Sequence, residues 1–405
     1  MILKYIRFSL ALVVLPISVA AQPKPCTHHL ERPFENEQGR IEIIIPQVNG
    51  LNVYKADLHA HTMFSDAEVT PDMRVVEAWS DGLDVIAITD HIEYRRIERE
   101  MFKYMDRYIR EDLRQHGQAV NINLSRKGPD EYGLLVDFNV AYNCAKKKSA
   151  VYGNDILVVR GVEITRKGYG DYNALFTTDN NLIYDPEIEK AIANARAQGA
   201  FIVHNHPDYD PSSPDHITEL ARGLYNKGLV DGVEIANGRR TWWHLFDYAL
   251  DGGYTQMANS DIHEYIYHIY GRPSDYDIPR YRNMNLILAN SKTENDLCEA
   301  LKAGNTIAYT NNNLIGKTDL LKSLFLSCVE FQPQDVVGAQ RHIKAVNLSS
   351  LPYYFRVGDK EYMLNALGSL HLVLPKEAEI ADVEILNMWC GNDQHPSVSI
   401  ELSEM

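Results

Sequence analysis

The chain has 405 residues, of which 45% are hydrophobic, 10% aromatic and 23% charged. This composition is typical of a globular protein with a sizeable core, and it excludes collagen, coiled coils and disordered chains. The formal net charge of −15 argues against a broad basic surface for nucleic acid or anionic lipid. Any phosphate group that binds here therefore needs a local positive centre.

Residues 1–21 are predicted to be a secretory signal peptide. Two cations, Lys4 and Arg7, precede an apolar run at residues 8–14, and small residues follow. The apolar run is too short to cross a membrane, which favours a cleaved leader over a membrane span. We therefore expect a secreted or periplasmic protein in which residues 22–50 form an extended lead-in.

The cysteines are scattered and include no CxxC pair. Neither a thiolate metal site nor a dense disulfide framework is therefore expected, although the sequence leaves one disulfide open. The five positions are Cys26, Cys144, Cys298, Cys328 and Cys390.

From about residue 51 to residue 313 the chain alternates short β-rich runs with helical patterns. The predicted strands are residues 53–58, 85–89, 156–164, 174–176, 201–204, 232–235, 255–259 and 285–288. The predicted helices are residues 72–79, 98–115, 134–148, 187–197, 216–227, 241–250 and 294–303. Such alternation predicts a parallel sheet, and this number of strand–helix units predicts a closed barrel.

Beyond residue 316 the pattern changes to short strands separated by turn residues, as in LFLSCVEF, YYFRV and VEILNMW. This pattern predicts a small antiparallel β-sandwich of the immunoglobulin-like kind. We place the boundary near residues 313–317, so that residues 51–315 form the barrel and residues 316–405 the β-sandwich.

Metal-binding side chains follow five of the predicted strands. The segments are DLHAHTMFSDA, VIAITDHIEY, GVEITRKGYGDYNALF, FIVHNHPDYD and MANSDIHEY. His59 and His61 are two apart in an extended strand, so their side chains share a face. Because the carboxyl ends of parallel barrel strands lie together, the five clusters are expected to meet. Imidazole and carboxylate ligands without thiolate suit two or three ions of Zn, Mn or Fe that share bridging groups.

The five segments, in this order, resemble the metal-binding motifs of the polymerase and histidinol phosphatase (PHP) superfamily. The resemblance covers roughly residues 51–313 and rests on the HxH, TDH, GVE, HP and SDIH motifs. It implies an α/β fold, a distorted (β/α)7 barrel here followed by the antiparallel β-sandwich, and a di- or trinuclear site that hydrolyses phosphoesters. The family pattern falls on His59, His61, Asp66, His91, Glu163, His206, Asp261 and His263.

The leader, the DYNALF segment, the NHP triplet and the appended β domain are further similar to secreted phosphodiesterases that act on haloalkyl phosphate diesters. Asp171 departs from that pattern, since such relatives usually carry His before a similar segment. Two outcomes stay open: Asp171 binds metal with a changed preference, or it marks weakened occupancy of one ion. His204 and His206 share a face by spacing. The resemblance favours His206 as the ligand and leaves His204 as a neighbouring substrate-binding residue.

The mechanism expected from this resemblance is attack of a metal-bridging hydroxide on the phosphorus of a small phosphate ester. The finer resemblance implies a diester. Glu163 is expected to bridge two ions and Asp261 to accept the hydroxide proton. His91 and His263 are expected to hold the leaving or non-bridging oxygen.

The substrate contacts are predicted from cationic and aromatic residues near the same rim. Arg239, Arg240 and Arg272 suit phosphate because a guanidinium donates two parallel hydrogen bonds, but each is equally typical of a solvated surface. Trp242 is a candidate wall for an ester group, with a core position as the alternative.

Three rival functions remain open. An amidohydrolase-like metal hydrolase is expected to carry a metal-bridging lysine, which no predicted strand end has. A metal-binding protein with a partly decayed site is consistent with Asp171. A proofreading nuclease shares the motifs, but the leader and the acidic charge oppose it. The oligomeric state cannot be predicted.

Overall fold

The computed structural model of the protein describes residues 39–98, 120–122, 134–207, 217–270 and 282–402. The first part of the chain forms a curled sheet with helices packed outside it. The strands of this sheet are β1 (Asn52–Asp57), β2 (Val85–Ile88), β5 (Leu157–Arg166), β6 (Gly170–Leu175), β7 (Phe201–Asn205), β8 (Gly232–Asn237), β9 (Arg240–Thr241), β10 (Thr255–Asn259), β11 (Met284–Ala289), β12 (Thr306–Thr310) and β13 (Asn313–Ile315). Two further strands, β3 (Val120–Ile122) and β4 (Leu134–Val136), pair with each other in a separate antiparallel sheet.

The described helices lie between these strands and after them. They are α1 (Pro71–Ser80), α2 (Val140–Ser149), α3 (Ile188–Arg196), α4 (Glu219–Asn226), α5 (Trp243–Asp251), α6 (Ile266–Tyr270), α7 (Glu294–Lys302) and α8 (Thr318–Cys328). Within the described residues, no helix has the length and apolar character needed to cross a membrane.

The sheet follows the order β10-β8-β7-β6-β5-β2-β1-β11-β12-β13 and is mixed rather than parallel. The pairs β1–β2, β2–β5, β7–β8 and β8–β10 are parallel. Strand β6 is antiparallel to both β5 and β7, and β11 is antiparallel to β1. The expectation of a parallel sheet is therefore correct for these four pairs and wrong for β6 and β11. A hairpin connection of three residues, 167–169, joins β5 to β6, and such a short loop permits only an antiparallel neighbour.

Asn285 links β11 to β10, two strands of the curled sheet that form no described backbone ladder with each other. Its Oδ1 accepts a hydrogen bond from the Ala258 amide at 3.0 Å, and its Nδ2 donates to the Ala258 carbonyl at 3.0 Å. The same Nδ2 donates to Oδ1 of Asn259 at 2.8 Å. A buried side-chain amide thus joins β11 to β10.

Helix α1 illustrates how the sequence positions an outer helix. Thr70 caps it by accepting a hydrogen bond from the Met73 amide, and Pro71 occupies the first turn, where its missing N–H costs nothing. Val75 and Ala78 lie buried on its inner face, against the fully buried strand β2.

Two predicted helices differ from the structure. The one expected at residues 134–148 begins later, at Val140, because residues 134–136 are strand β4 and Asp137 and Asn139 form a turn. The one expected at residues 98–115 lies outside the described residues apart from its first position.

The C-terminal region forms two antiparallel sheets, β14-β15-β18 and β17-β16-β19-β21. Phe325 of α8 contacts Phe355 and Tyr353 edge-on, so helix and sheet share one core. Strand β20 pairs parallel to β13 and extends the first sheet. The strands are β14 (Val329–Val337), β15 (Gln340–Asn347), β16 (Tyr353–Val357), β17 (Lys360–Leu364), β18 (Ser369–Pro375), β19 (Ile380–Ile385), β20 (Met388–Trp389) and β21 (Ser397–Glu401).

The expected combination of a barrel-like α/β unit with C-terminal antiparallel β structure is confirmed. We retain the domain boundary near residues 313–317 as a proposal, since it falls between β13 and α8. The four described cysteines are free thiols; Cys298 and Cys328 are buried, and Cys144 and Cys390 are partly exposed. Cys26 and residues 1–21 lie outside the described residues.

Candidate metal centre

Four groups of imidazole and carboxylate side chains converge at one end of the curled sheet. Within each group, the candidate ligand atoms all lie within 4.8 Å of one another. The groups are His61–Asp66–His91–His263, His59–His61–Glu163, His59–His206–Asp261 and Glu163–Asp171–His206. Together they contain all nine residues that the sequence predicts as metal ligands. Because four residues belong to two groups each, the groups form one connected cluster.

His59 and His61 leave β1 towards the centre of this cluster. The parallel bridge between Ala60 and Ile262 continues the strand direction past Asp57, so the two imidazoles project to the same side. Their Nε2 atoms lie 2.9 Å apart. Since Zn–N bonds are about 2.0–2.1 Å long, both nitrogens can reach a single ion.

Glu163 occupies the middle of the cluster. Its Oε2 lies 2.9 Å from Nδ1 of His91, 3.3 Å from Nε2 of His61 and 3.6 Å from Nε2 of His59. Its other oxygen, Oε1, accepts a hydrogen bond from Nδ2 of Asn205 at 2.7 Å. This fully buried carboxylate is therefore placed for sharing between neighbouring ligand groups.

Asp261 and His206 adopt strained backbone conformations at the cluster. Their φ angles are 50° and 30°, in the left-handed region that residues other than glycine rarely adopt. Oδ1 of Asp261 lies 3.1 Å from Nε2 of His61 and 3.2 Å from Nε2 of His59. Its Oδ2 lies 3.6 Å from Nε2 of His206. The two strained residues therefore follow the ends of β7 and β10, and their side chains meet in the cluster.

Asp66, His91 and His263 form the more open side of the cluster. Nε2 of His263 lies 3.2 Å from Oδ1 of Asp66, and Nε2 of His91 lies 3.8 Å from Oδ2 of Asp66. The side chain of His263 is 34% exposed, the most of the nine, so the cluster is accessible to solvent at this residue.

Asp90 shapes the loop that carries Asp66 and is not in a ligand group. Its Oδ1 accepts hydrogen bonds from the Thr62 amide at 2.7 Å and from the Ser65 hydroxyl at 2.6 Å. The Thr62 hydroxyl donates to its Oδ2 at 2.7 Å. Of the two polar residues that follow strand β2, Asp90 therefore holds the loop, whereas His91 belongs to the metal cluster.

Opposite charges shift the pKa values of the cluster strongly. Burial alone would lower the pKa of His91, but Glu163 and Asp66 raise it to about 9. The pKa of His206 is raised to about 10, because its hydrogen bond to Glu163 and the charge of Asp261 outweigh burial. Conversely, His263 and His91 lower the pKa of Asp66 to about 2, against the effect of burial. At neutral pH, His91 and His206 of the metal-free cluster are therefore protonated, and Asp66 is ionised.

Three buried oxygens of the cluster lack a donor in hydrogen-bonding geometry. They are Oε2 of Glu163, Oδ1 of Asp261 and Oδ1 of Asp171. Buried polar atoms are nearly always hydrogen-bonded, so oxygens without donors at a point of convergence indicate an interaction with a cation. Nitrogen and oxygen donors without sulfur suit Zn, Mn or Fe. The residues therefore fit divalent ions.

Asp171 extends the cluster beyond Glu163. It lies in β6 beside β7, and its Oδ2 is 4.0 Å from Nδ1 of His206. In the Glu163–Asp171–His206 group, Asp171 and Glu163 supply two carboxylates and His206 supplies one imidazole. Of the two outcomes left open by the sequence, the geometry favours Asp171 as a substitute ligand over a weakened site.

Glu234 is a site residue that the sequence reasoning missed. It is fully buried in β8, and its Oε1 accepts a hydrogen bond from Nδ1 of His59 at 2.8 Å. A signal for it exists, because the tetrapeptide GVEI occurs at residues 161–164 and again at residues 232–235. The second copy was interpreted only as a strand.

His204 does not lie in the cluster, which corrects its prediction as a substrate-binding residue. Its ring stacks on Tyr172 at 4.5 Å, and its Nδ1 lies 2.8 Å from the Tyr225 hydroxyl of α4. Burial lowers its pKa to about 3, so it stays neutral. The alternation of a strand predicts one face for residues 204 and 206, but the positive φ of His206 breaks the alternation.

The structure places the other residues that were predicted to contact substrate in different environments. Trp242 is buried in the core between β8 and α5, which corrects its prediction as a substrate wall. The exposed Arg239 uses its guanidinium to donate to the carbonyls of His268 and Ile269 at the end of α6. Arg240 is exposed in β9, and its substrate contact stays a prediction. Arg272 lies outside the described residues.

One family model and one solved two-domain structure are similar to this chain. Residues 57–234 match the PHP domain family model. The structure is similar to a two-domain protein from Bacteroides vulgatus ATCC 8482 that is described as containing a predicted PHP-like metal-dependent phosphoesterase. That similarity has a TM-score of 0.75 and 26% identity, and it covers 90% of this chain and 99% of that chain. No match is found among curated proteins.

Two further structures are only weakly similar. A protein from Bifidobacterium adolescentis ATCC 15703, described as a metal-dependent phosphoesterase, has a TM-score of 0.34 and 16% identity over 54% of this chain and 89% of that chain. An amidohydrolase from Chromobacterium violaceum has a TM-score of 0.35 and 14% identity over 53% of this chain and 89% of that chain.

Proposed function

We propose that this protein is a metal-dependent phosphoesterase that hydrolyses small phosphate esters, with diesters as its preferred substrates. The observation that carries the proposal is the convergence of nine imidazole and carboxylate ligands around oxygens without donors. The PHP domain match over residues 57–234 supports phosphoester chemistry. The diester preference rests on the finer sequence resemblance.

The charge of the cluster favours three ions over two. Asp66, Glu163, Asp171, Asp261 and the adjoining Glu234 carry five negative charges when ionised. Two divalent ions leave this set negative, whereas three make it positive and so attractive to a phosphate anion. When bound, such ions would act as Lewis acids and lower the pKa of a coordinated water to about 7, which supplies the nucleophile at neutral pH.

Four residues of the cluster have a proposed role in the reaction. Glu163 orients the groups around it, because its Oε1 is held by Asn205 while Oε2 stays available. Asp261 is the proposed proton acceptor, because its Oδ1 is buried without a hydrogen-bond donor and lies 3.1 Å from Nε2 of His61, inside the cluster. His263 and His91, on the open side, are proposed to orient the leaving or non-bridging oxygen of the ester.

The rival functions fit the geometry less well. None of the strand-end segments DLHAHT, ITDH, GVE, NHP and SDIH contains a lysine, the residue expected to bridge metals in an amidohydrolase. Asp171 supplies a buried carboxylate oxygen to the group that a decayed site would have lost. We further propose that the enzyme acts outside the cytoplasm, on the basis of the leader pattern in residues 1–21.

Hydrolysis of bis(p-nitrophenyl) phosphate and of p-nitrophenyl phosphate, with Mn or Zn added to EDTA-treated protein, tests the proposal. The diester is expected to react faster, and His59→Ala and Asp261→Ala are expected to remove most of the rate. If neither ester is hydrolysed with any of the metals, or if both variants retain the wild-type rate, the proposal is wrong.

A further inference from the structure

Glu234 is surrounded by hydrogen-bond donors from four places in the chain. Its Oε1 accepts from Nδ1 of His59 and from Nδ2 of Asn259, both at 2.8 Å. Its Oε2 accepts from the His206 amide and from Nδ2 of Asn237, both at 2.9 Å. Each carboxylate oxygen thus has two donors, in a position with no solvent exposure. Burying a carboxylate is costly, so this complete set of partners indicates a defined role.

Two of these donors belong to one ligand group, His59–His206–Asp261. The contact at Nδ1 of His59 leaves Nε2 as the nitrogen that faces Asp261, 3.2 Å away. The contact at the His206 amide holds a residue whose φ of 30° is unfavourable without such a restraint. By contrast, Glu234 has no described contact with Asp66, His91 or His263.

We propose that Glu234 is a positioning residue that orients His59 and His206 and so selectively supports metal binding at the His59–His206–Asp261 group. Carboxylates that accept from the second nitrogen of a histidine ligand fix its tautomer and ring orientation, and their loss typically lowers metal affinity about 10–100-fold. The inference rests on the proposed function only in that the cluster binds divalent ions.

Replacement by glutamine tests the role with little change in shape. The amide –NH₂ of Glu234→Gln faces donors whichever way it is turned. It meets either Nδ1 of His59 and Nδ2 of Asn259, or the His206 amide and Nδ2 of Asn237. One pair of contacts is therefore lost. Asp231→Asn is the matched control, because Asp231 directly precedes β8 and links Ile202 and Arg196 away from the cluster.

The experiment measures Mn²⁺ isotherms of the EDTA-treated full-length protein by equilibrium dialysis with elemental analysis, and checks folding by circular dichroism. Glu234→Gln is expected to weaken one class of sites about 10–100-fold and to leave the others unchanged. Asp231→Asn is expected to match wild type. Glu234→Asp keeps the charge and is expected to give an intermediate affinity. The weakened class should be among those that His206→Ala weakens, since His206 belongs to two ligand groups, and His91→Ala should retain it.

A folded Glu234→Gln protein whose isotherm overlaps that of wild type overturns the proposal, as does equal weakening of all classes. If the glutamine variant does not fold, the aspartate variant decides by the same criteria. The outcome is separable from the proposed function. A wild-type protein that binds Mn²⁺ but hydrolyses neither ester refutes only the phosphoesterase proposal. An active wild type with an unaltered Glu234→Gln isotherm refutes only the positioning role.

Discussion

His204 and His206 are two residues apart at the end of β7, yet only His206 lies in the metal cluster. His206 lies 3.5 Å from Oε1 of Glu163, whereas His204 stacks on Tyr172 in the outer core. His206→Ala is therefore expected to lower metal affinity, because it removes a ligand from two groups. His204→Ala is expected to leave metal stoichiometry unchanged and to lower the free energy of unfolding by about 2–4 kcal/mol through a cavity and an unpaired Tyr225 hydroxyl.

Metal analysis and urea denaturation of the two variants, each compared with wild type, check this contrast. Loss of metal in His204→Ala, with His206→Ala fully loaded, would reverse our assignment of the two residues.

The pH dependence of stability is expected to change sign with metal. In the metal-free protein the pKa values of His91 and His206 are raised to about 9 and about 10 by carboxylates. Their charge pairs therefore stabilise the fold fully below the unfolded value of about 6.5, and that stability is lost as pH rises through 9 to 10. The loss is on the order of a few kcal/mol. The metal-loaded protein gains stability as pH rises, because protons compete less for the ligands.

Urea denaturation at pH 6.5, 7.5 and 9, with EDTA or with Mn²⁺, measures both slopes. Parallel slopes in the two series contradict the pKa assignment. Calorimetry at pH 7.5 in buffers of different ionisation enthalpy is expected to show proton release on metal binding.

Arg74 connects the loops that carry the ligands. The buried guanidinium donates to the carbonyls of His61, Ile262 and Glu264, and it pairs with Glu77 at 2.8 Å. Arg74→Met removes the cation that pairs with the buried Glu77 carboxylate, which then keeps only the Ile266 amide among its described donors. The substitution also removes one donor from each of the three carbonyls. It is expected to lower the free energy of unfolding of the metal-free protein by about 3–5 kcal/mol.

The exposed ion pair between Lys190 and Glu187 provides the control, since Lys190→Met is expected to leave the free energy of unfolding within experimental error of wild type. Urea denaturation measures both variants. Similar small losses in the two would show that Arg74 does not support the loops.

Arg239 and Arg240 are adjacent and exposed but are expected to differ in activity assays. Arg239 already donates to two carbonyls of α6, so Arg239→Ala is expected to change KM for a diester less than about twofold. Arg240→Ala is expected to raise KM about tenfold with little change in kcat, because Arg240 is the predicted phosphate contact. Steady-state kinetics with bis(p-nitrophenyl) phosphate compare the two, and a larger effect of Arg239→Ala would contradict the assignment.

Asp171 is expected to tune metal preference. Imidazole suits Zn, whereas carboxylate also suits Mn, so Asp171→His is expected to raise the affinity for Zn²⁺ relative to Mn²⁺. Asp171→Asn keeps the shape but removes the charge, and it is expected to weaken binding of both ions at one class of sites. Competition isotherms measure the ratio. An unchanged ratio in Asp171→His, with unchanged affinities in Asp171→Asn, would remove Asp171 from the ligand set.

The gap between prediction and structure has a local cause at several positions. The spacing of His59 and His61 predicted a shared face correctly, because extended backbone continues past β1. The same rule was wrong for His204 and His206, because a left-handed residue follows the strand. The parallel sheet was overpredicted because nothing in the β-rich run at residues 174–176 distinguishes a hairpin strand from a crossover strand.

The sequence by itself determined which side chains are available for metal chemistry and that they follow strands, because strand periodicity and residue type are local properties. Only the tertiary structure decided which side chains meet. Glu163 and Glu234 lie in identical GVEI segments, yet one occupies the centre of the cluster and the other supports His59 from behind. Their difference arises from the positions of β5 and β8 around the curled sheet, which depend on contacts between residues far apart in the chain.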